Sequence, residues 1–319
     1  MTDGKLPFSA NAIKKFGNFF FLNIMKQWVA GANAEDAIVL ANKFKKAKHS
    51  DSIINHLGEH YVEKAVVDKT VEEYKSLISG ISKSRVKAAV SIKPSQFGCN
   101  CKNCGKSAEV YCFKKIKELA EYAKPKGIFI WIDMESSQIT DFTIATYKKL
   151  LPDYNNLGLC IQANLKRTAR DLKDFIKLAG QGISPKLRLV KGAYPESPAI
   201  ACQTEEEKHA AFKKLIETAF KESPKNVGIA VASFHEQRVQ EALALQKKYP
   251  KDFFEIQVLK GVMQEFAESL RAKGLNVVEY IPYGKDAFAY SVRRAMKNPK
   301  FKNSILFKTF FDVYKKYYT

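Results

Sequence analysis

No run of about 18 or more uninterrupted apolar residues occurs in this 319-residue chain, which argues against a transmembrane helix. The N-terminal residues also lack the charged, apolar and small-residue order of a secretory signal. The expectation is a soluble, cytoplasmic protein. No strand-like run is followed by G-x-G-x-x-G, and Gly105-Lys106-Ser107 lacks the glycine that a phosphate-binding loop requires, so neither nucleotide-binding signature is present. Internal repeats and low-complexity linkers are missing too. Acidic residues are few beside basic ones, 33 against 53, which leaves a formal net charge of +20. Such a balance suits anionic substrates, nucleic acid or an anionic membrane surface. The lysines are spread along helical segments such as 43–48 and 213–214 rather than gathered in a recognisable module. A solvated basic surface is therefore expected, with no nucleic-acid partner. Six cysteines without a secretory signal read as reduced thiols rather than a disulfide framework.

What is present is a chain 46% apolar and 27% charged, long enough to bury a sizeable core. The first 80 or so residues read as helices. Segment 12–29 is basic and aromatic, with Phe16, Phe19, Phe20, Leu22, Ile24, Met25 and Trp28, but Lys14, Lys15 and Lys26 interrupt it. It suits an arm packed on the protein's own core better than a membrane-surface helix. A helix is predicted after Asn33, with Asp36 in its first turn; Thr70 and Glu73 have capping-box spacing and predict another start. From about Lys87 the texture changes to β-rich runs at 88–92, 127–133, 157–162, 186–191, 227–233, 253–259 and 277–283. Helix-like stretches separate them, for example 205–221 after the cap Thr204, with Glu207 three residues on.

Strands alternating with helices predict βαβ units and a parallel sheet. The runs lack strict polar alternation, as strands covered on both faces do. The predicted fold class is α/β, a (β/α)8 barrel at 81–319 with an N-terminal helical arm at 1–80. Closure needs an eighth strand, for which 304–307 is the candidate, and a doubly wound open sheet is the other architecture the pattern allows.

In a parallel barrel the site lies at the carboxyl ends of the strands, so the polar residues closing each apolar run are the ones to weigh. Lys93 closes the first run, Asp133 the second and Gln162 the third. Arg188 and Lys191 sit in the fourth, His235 follows the fifth, and Tyr280 and Tyr283 mark the seventh. Each alone has an ordinary explanation: an emerging surface lysine, a helix cap at Asp133, a loop-satisfying Gln162, a structural histidine. The functional reading rests on the set, because alternating Lys, Asp and Arg at successive strand ends can partner one another and an anionic ligand. A second constellation is Tyr290-Ser291-Val292-Arg293-Arg294, where helical spacing lets the tyrosine share a face with either arginine. Paired guanidinium groups suit a carboxylate, although dibasic pairs on helices are usually just solvated.

These strings resemble the proline dehydrogenase family. The resemblance runs in order over about residues 50–300. It is carried by Leu57-Gly58-Glu59, Ser91-Ile92-Lys93-Pro94-Ser95, Ile132-Asp133-Met134-Glu135, Ile161-Gln162-Ala163 with Lys166-Arg167-Thr168, and Arg188-Leu189-Val190-Lys191-Gly192-Ala193-Tyr194. It continues through Phe254-Glu255-Ile256-Gln257-Val258-Leu259 with Gly261, and Tyr280-Ile281-Pro282-Tyr283-Gly284 followed by Tyr290 and the arginine pair. What it implies is a distorted, FAD-binding TIM barrel that oxidises L-proline to Δ1-pyrroline-5-carboxylate in proline catabolism, by hydride transfer from C5 to flavin N5. By the same likeness Arg293, Arg294 and Lys93 hold the substrate carboxylate, Asp133, Tyr280 and Tyr290 shape the proline pocket, and Leu259 packs against the ring. Glu59 pairs with the first arginine to close the site. Gln162, Arg188, Lys191, Gly192, Ala193 and His235 contact the flavin, with Arg188 nearest its reactive nitrogen. Three cationic groups on the carboxylate would orient the ring carbon, and an arginine at the flavin edge would stabilise the negative charge of reduction. Electrons would pass to a quinone-like acceptor, and with the basic surface and aromatic arm this leads to an expectation of reversible association with an anionic membrane.

Three positions depart from the family pattern: Phe234 stands before His235 where a threonine is common, Pro195 follows Tyr194 where an aromatic is frequent, and Lys297 replaces a commonly acidic residue. Cys99, Cys101, Cys104 and Cys112 have no counterpart in the resemblance. Their C-x-C-x2-C-x7-C spacing allows a zinc or iron–sulfur site or four reduced thiols. Two other functions stay open on residues alone: a Schiff-base aldolase barrel using Lys93 or Lys191, and a basic nucleic-acid-binding protein.

Overall fold

The structure, a computed structural model, describes residues 26–99, 108–285, 290, 291 and 294. Its sheet is a closed barrel of eight strands: β1 Ser52–His56, β2 Ala88–Ile92, β3 Ile130–Ile132, β4 Leu157–Gln162, β5 Lys186–Val190, β6 Gly228–Ala232, β7 Phe254–Leu259 and β8 Val277–Tyr283. Every neighbouring pair is parallel, and β1 closes on β8 from Ser52↔Glu279 to His56↔Tyr283. The helices are α1 Ala34–Lys48, α2 Lys64–Ser84, α3 Ala108–Ala123, α4 Ser137–Leu150, α5 Thr168–Gly180, α6 Glu205–Lys221, α7 Glu236–Lys248 and α8 Gln264–Ala272. This is a (β/α)8 barrel, as the alternation of strands and helices predicts.

Local chemistry sets several of the boundaries. The Asn33 side chain accepts from the Asp36 backbone N–H at 2.9 Å and Asp36 reaches back, so α1 begins with a capping box. Thr204 and Glu207 start α6 in the same way. Thr70 does not start a helix: it lies inside α2, buried, and its hydroxyl donates to the Val66 carbonyl at 2.8 Å. A threonine in mid-helix satisfies its hydroxyl on the preceding turn, and a Thr-to-Glu spacing of three residues cannot distinguish that use from a cap.

The closing strand corrects the helical reading of the first 80 residues. It is Ser52–His56, upstream of residue 80 and within the segment assigned to the arm, whereas candidate 304–307 lies outside the described residues. Five residues with two central isoleucines show too little periodicity to separate strand from helix. Pairing on both sides decides the matter, with Ile53 turned to the barrel interior and Ile54 to the helix layer.

Among the described residues, apolar side chains pack in two layers. One lies between strands and helices; the other fills the interior with Ile53, Trp131, Ala230 and Val278, flanked by Phe129, Phe253 and Tyr280. Trp131 is 1% exposed and meets Phe129 edge-on with ring centroids 5.1 Å apart. Gly158 on β4 makes the room, since a Cβ there would stand 2.5 Å from the indole. Above this apolar floor the same inward faces carry Ser91, Asp133, Arg188 and the Tyr280 hydroxyl, because side chains two residues apart share a face of a strand. The described end of the aromatic segment is buried on the barrel: Trp28 and Val29 are buried, and the Ala30 N–H donates to the Pro282 carbonyl at 2.8 Å. No helix among the described residues is long and apolar enough to cross a membrane.

Candidate active site

At the carboxyl end of the barrel, Asp133 is the hub. The Arg188 guanidinium forms an ion pair with Asp133 Oδ1, the Ser91 hydroxyl donates to the same oxygen at 2.9 Å, and the Tyr280 hydroxyl donates to Oδ2 at 2.8 Å. Both carboxylate oxygens are therefore spent on the site, and the helix-cap reading of Asp133 does not hold. Arg188 is 3% exposed and its guanidinium lies over the rings of Trp131 at 4.7 Å and Tyr280 at 5.5 Å. Burial, reinforced by the Asp133 charge, holds the Tyr280 hydroxyl well above its usual range, so it stays protonated and donating. Arg188 Nε and Nη2 are buried with no hydrogen-bond partner. Two unmet guanidinium donors in a desolvated place call for an acceptor-rich ligand.

A second group stands beside this hub. Lys93 Nζ lies 2.8 Å from Glu59 Oε2. The loop bearing Glu59 is tied to the turn after β2: the His60 N–H donates to the Ser95 hydroxyl oxygen and the Tyr61 N–H to the Ser95 carbonyl, both at 3.0 Å. Ser95 is in turn gripped by Glu135, to which its N–H donates at 2.8 Å and its hydroxyl at 2.6 Å. Glu135 is buried, and desolvation raises its carboxyl above the ordinary glutamate value of 4.5 despite these donors.

The native state thus holds the Glu135 proton more tightly than the unfolded chain does. That stabilisation is present below 4.5 and is lost as pH rises through the raised value. Glu135→Gln should lack this component, so the stability advantage of the native chain over the variant should shrink as pH rises. Denaturant titrations across the mildly acidic range measure it, and an advantage that widens with pH would contradict the burial argument.

The remaining sequence-predicted residues line the same end. Gln162, buried at the end of β4, donates from Nε2 to the Glu135 carbonyl at 2.8 Å. Lys191 follows β5 and pairs with Glu205 at 2.5 Å. Gly192 has φ +107, and a Cβ there would stand 1.9 Å from Asn164 Oδ1, so glycine alone fits before Ala193. His235 meets His209 edge-on at 4.1 Å, and burial with the nearby His209 and Lys191 lowers its pKa below the ordinary value, favouring the neutral ring. Half-buried Leu259 ends β7 opposite Tyr280. Arg294 donates from Nε to the Tyr290 hydroxyl at 3.3 Å, and its guanidinium lies over the Tyr290 ring at 5.4 Å and the Phe234 ring at 5.9 Å. Arg293, Lys297, Cys101 and Cys104 lie outside the described residues.

Tyr283 belongs elsewhere. Its hydroxyl donates to Glu73 on α2 at 3.0 Å, facing the helix layer. Reading the strand ends alone passes over the roles of Ser91, Trp131 and Glu135. The signal for the first two is the period of two, since they sit two residues before Lys93 and Asp133; nothing in the sequence marks Glu135 as the anchor of Ser95. Lys93 and Lys191 are each engaged by a carboxylate, Glu59 and Glu205, which is not how an aldolase presents its Schiff-base lysine.

The proline dehydrogenase family model matches residues 38–305. Proline dehydrogenase 1 of Bacillus subtilis subsp. natto is 27% identical over 274 residues, 86% of each chain. Proline dehydrogenase of Deinococcus radiodurans is 25% identical over 283 residues, 87% of each. Among solved structures, proline utilization A of Bdellovibrio bacteriovorus superposes with a TM-score of 0.80 at 21% identity, covering 91% of this chain. The chain spans about a third, 34%, of that longer protein, and the likeness to it is one of fold. The order of the motifs, the barrel that carries them and the family match over residues 38–305 agree: this chain belongs to the proline dehydrogenase family.

Proposed function

We propose that this chain oxidises L-proline to Δ1-pyrroline-5-carboxylate with FAD held at the carboxyl ends of the barrel strands. Membership of the family makes it an oxidoreductase acting on proline in proline catabolism. The observation that carries the flavin assignment is Arg188, fixed by Asp133 and left with two buried donors unmet. An isoalloxazine edge, with its ring nitrogen and carbonyl acceptors, fits that donor set. The side-chain-free Gly192 beside Asn164, whose Oδ1 is also buried without a partner, suits the close backbone approach a bulky cofactor needs.

FAD, when bound, supplies the two-electron acceptor for the hydride that leaves the proline ring carbon next to nitrogen. The chain's own residues supply position and charge. Arg188 presents a fixed positive field where negative charge accumulates, and Asp133 keeps its guanidinium from turning away. Gln162, Lys191, Gly192, Ala193 and His235 hold the cofactor. Lys93, Arg293 and Arg294 bind the proline carboxylate, with Glu59 pairing to close the site. Tyr280, Tyr290 and Leu259 shape the ring's pocket, and stacking on Tyr290 and Phe234 pre-orders Arg294 before substrate arrives. Purified protein should be yellow, and its flavin absorbance should bleach when L-proline is added without oxygen. A folded protein that is colourless and takes up no added FAD would sink the assignment.

The electron acceptor is proposed to be a quinone in an anionic bilayer, reached from the cytoplasm by reversible association that the +20 charge favours. Sedimentation with anionic liposomes at low salt tests this, and protein that stays wholly in the supernatant removes it.

A further inference from the structure

Cys99 and Cys112 lie outside the machinery described above and have no counterpart in the family resemblance. The first follows the turn Pro94–Phe97 and the second lies in the opening turns of α3. Their sulfurs are 2.7 Å apart, and both lie within S–H donor reach of the Pro94 carbonyl, Cys99 at 3.1 Å and Cys112 at 3.3 Å. The two thiol protons are shared among the Pro94 carbonyl and the sulfur–sulfur contact, in which either thiol can donate. Burial raises the Cys112 thiol above its ordinary value, which keeps it in the S–H form the contact needs. Cys99 is 7% exposed and Cys112 fully buried, so a small oxidant reaches Cys99 first.

Two fates suit paired thiols, a metal and a disulfide. A tetrahedral thiolate site with metal–sulfur bonds of about 2.3 Å keeps its sulfurs about 3.7 Å apart. A disulfide needs about 2.0 Å. At 2.7 Å the sulfurs stand closer together than a tetrahedral thiolate site holds them, which favours the covalent link.

We propose that Cys99 and Cys112 are a peroxide-oxidised couple whose disulfide weakens proline binding. The Cys99 sulfur attacks hydrogen peroxide: an S–O bond forms, the O–O bond breaks and one water leaves, giving a sulfenic acid. The Cys112 sulfur displaces that hydroxyl: the S–S bond forms, the S–O bond breaks and a second water leaves. Two thiols and one peroxide become one disulfide and two waters.

The consequence follows from Pro94. Oxidation removes both S–H donors to the Pro94 carbonyl and draws the two sulfurs from 2.7 Å to a bond of about 2.0 Å, which pulls the turn toward α3 and shifts it. Lys93, paired with Glu59, immediately precedes that turn, and Ser95 within it anchors the Glu59 loop. The control of affinity rests on the carboxylate-binding role proposed for Lys93; formation of the link does not.

The test uses the full flavin-loaded protein, purified reduced, treated with hydrogen peroxide, blocked with an alkylating agent and mapped by mass spectrometry. The expected product is one peptide pair joined at Cys99 and Cys112, two hydrogens lighter than the dithiol, with the proline KM raised on the order of tenfold and restored by dithiothreitol. Cys99→Ser and Cys112→Ser should each abolish the response, and the map of the unsubstituted protein decides the link if either variant fails to fold. Both residues alkylated after peroxide, pairing with Cys101 or Cys104 instead, or thiols blocked until a chelator is added would overturn the couple. A linked protein with unchanged KM overturns its control of binding. Loss of the flavin assignment registers separately, as a colourless reduced protein that does not turn over proline.

Discussion

Asp133→Ala is expected to lower the stability of the barrel by about 3–5 kcal/mol, the cost of stranding a buried charge. The charge in question is Arg188, 3% exposed between the Trp131 and Tyr280 rings, whose ion-pair partner is Asp133. Tyr280 would lose its acceptor in the same change. For a domain of this size the melting temperature should fall by roughly 10 °C. Proline turnover should fall on the order of a hundredfold or more, because an untethered guanidinium no longer holds a fixed field at the reacting centre. The double variant Asp133→Ala, Arg188→Met separates the two effects. Removing both charges should recover much of the stability and none of the activity, since an apolar pair of similar volume does not leave a charge unpaired. A single variant that melts within about 1 kcal/mol of the parent would show that the pair is solvated rather than buried.

Arg294→Met should raise the proline KM by about 100-fold while leaving the flavin spectrum unchanged. Methionine keeps the unbranched stem over Tyr290 and Phe234, so the packing at 5.4 and 5.9 Å is largely retained. What disappears is a forked donor whose charge-assisted contact to a carboxylate is worth about 1.5–3 kcal/mol, and more where water is excluded. If Arg294 held the substrate equally in ground state and transition state, KM would carry the whole loss; a parallel fall in kcat would show orientation of the reacting carbon as well. Lysine at this position should rescue only part, because a point charge lacks the planar fork. Unchanged proline kinetics in the methionine variant would remove Arg294 from the substrate site.

Seven of the eight strands are legible in the sequence because each is an apolar run bounded by helical pattern, and Leu157–Gln162 and Val277–Tyr283 have the boundaries expected. The polar residues at their ends are legible for the same reason: Lys93, Asp133 and Gln162 each interrupt an apolar run at its carboxyl end. The first strand is not, since Ser52–His56 carries no local mark beyond two isoleucines. Thr70 shows the converse error, a local spacing that satisfies a cap rule while the residue lies buried in mid-helix. Local pattern reports what a segment can do, and packing selects among the options.

By itself the sequence determined the alternation of strand and helix, the family's motifs in order and the residue types available for an anionic substrate, because these depend on composition and short-range period. Tertiary structure alone decided which of those residues meet. Asp133 and Arg188 are 55 positions apart, and Asp133 and Tyr280 are 147 apart. Only barrel closure through Ser52–His56 brings such strands around one axis, and only burial makes the Arg188 charge depend so strongly on its partner Asp133. The sulfurs of Cys99 and Cys112 likewise meet because α3 packs back over the turn after β2, a contact that spacing along the chain does not encode.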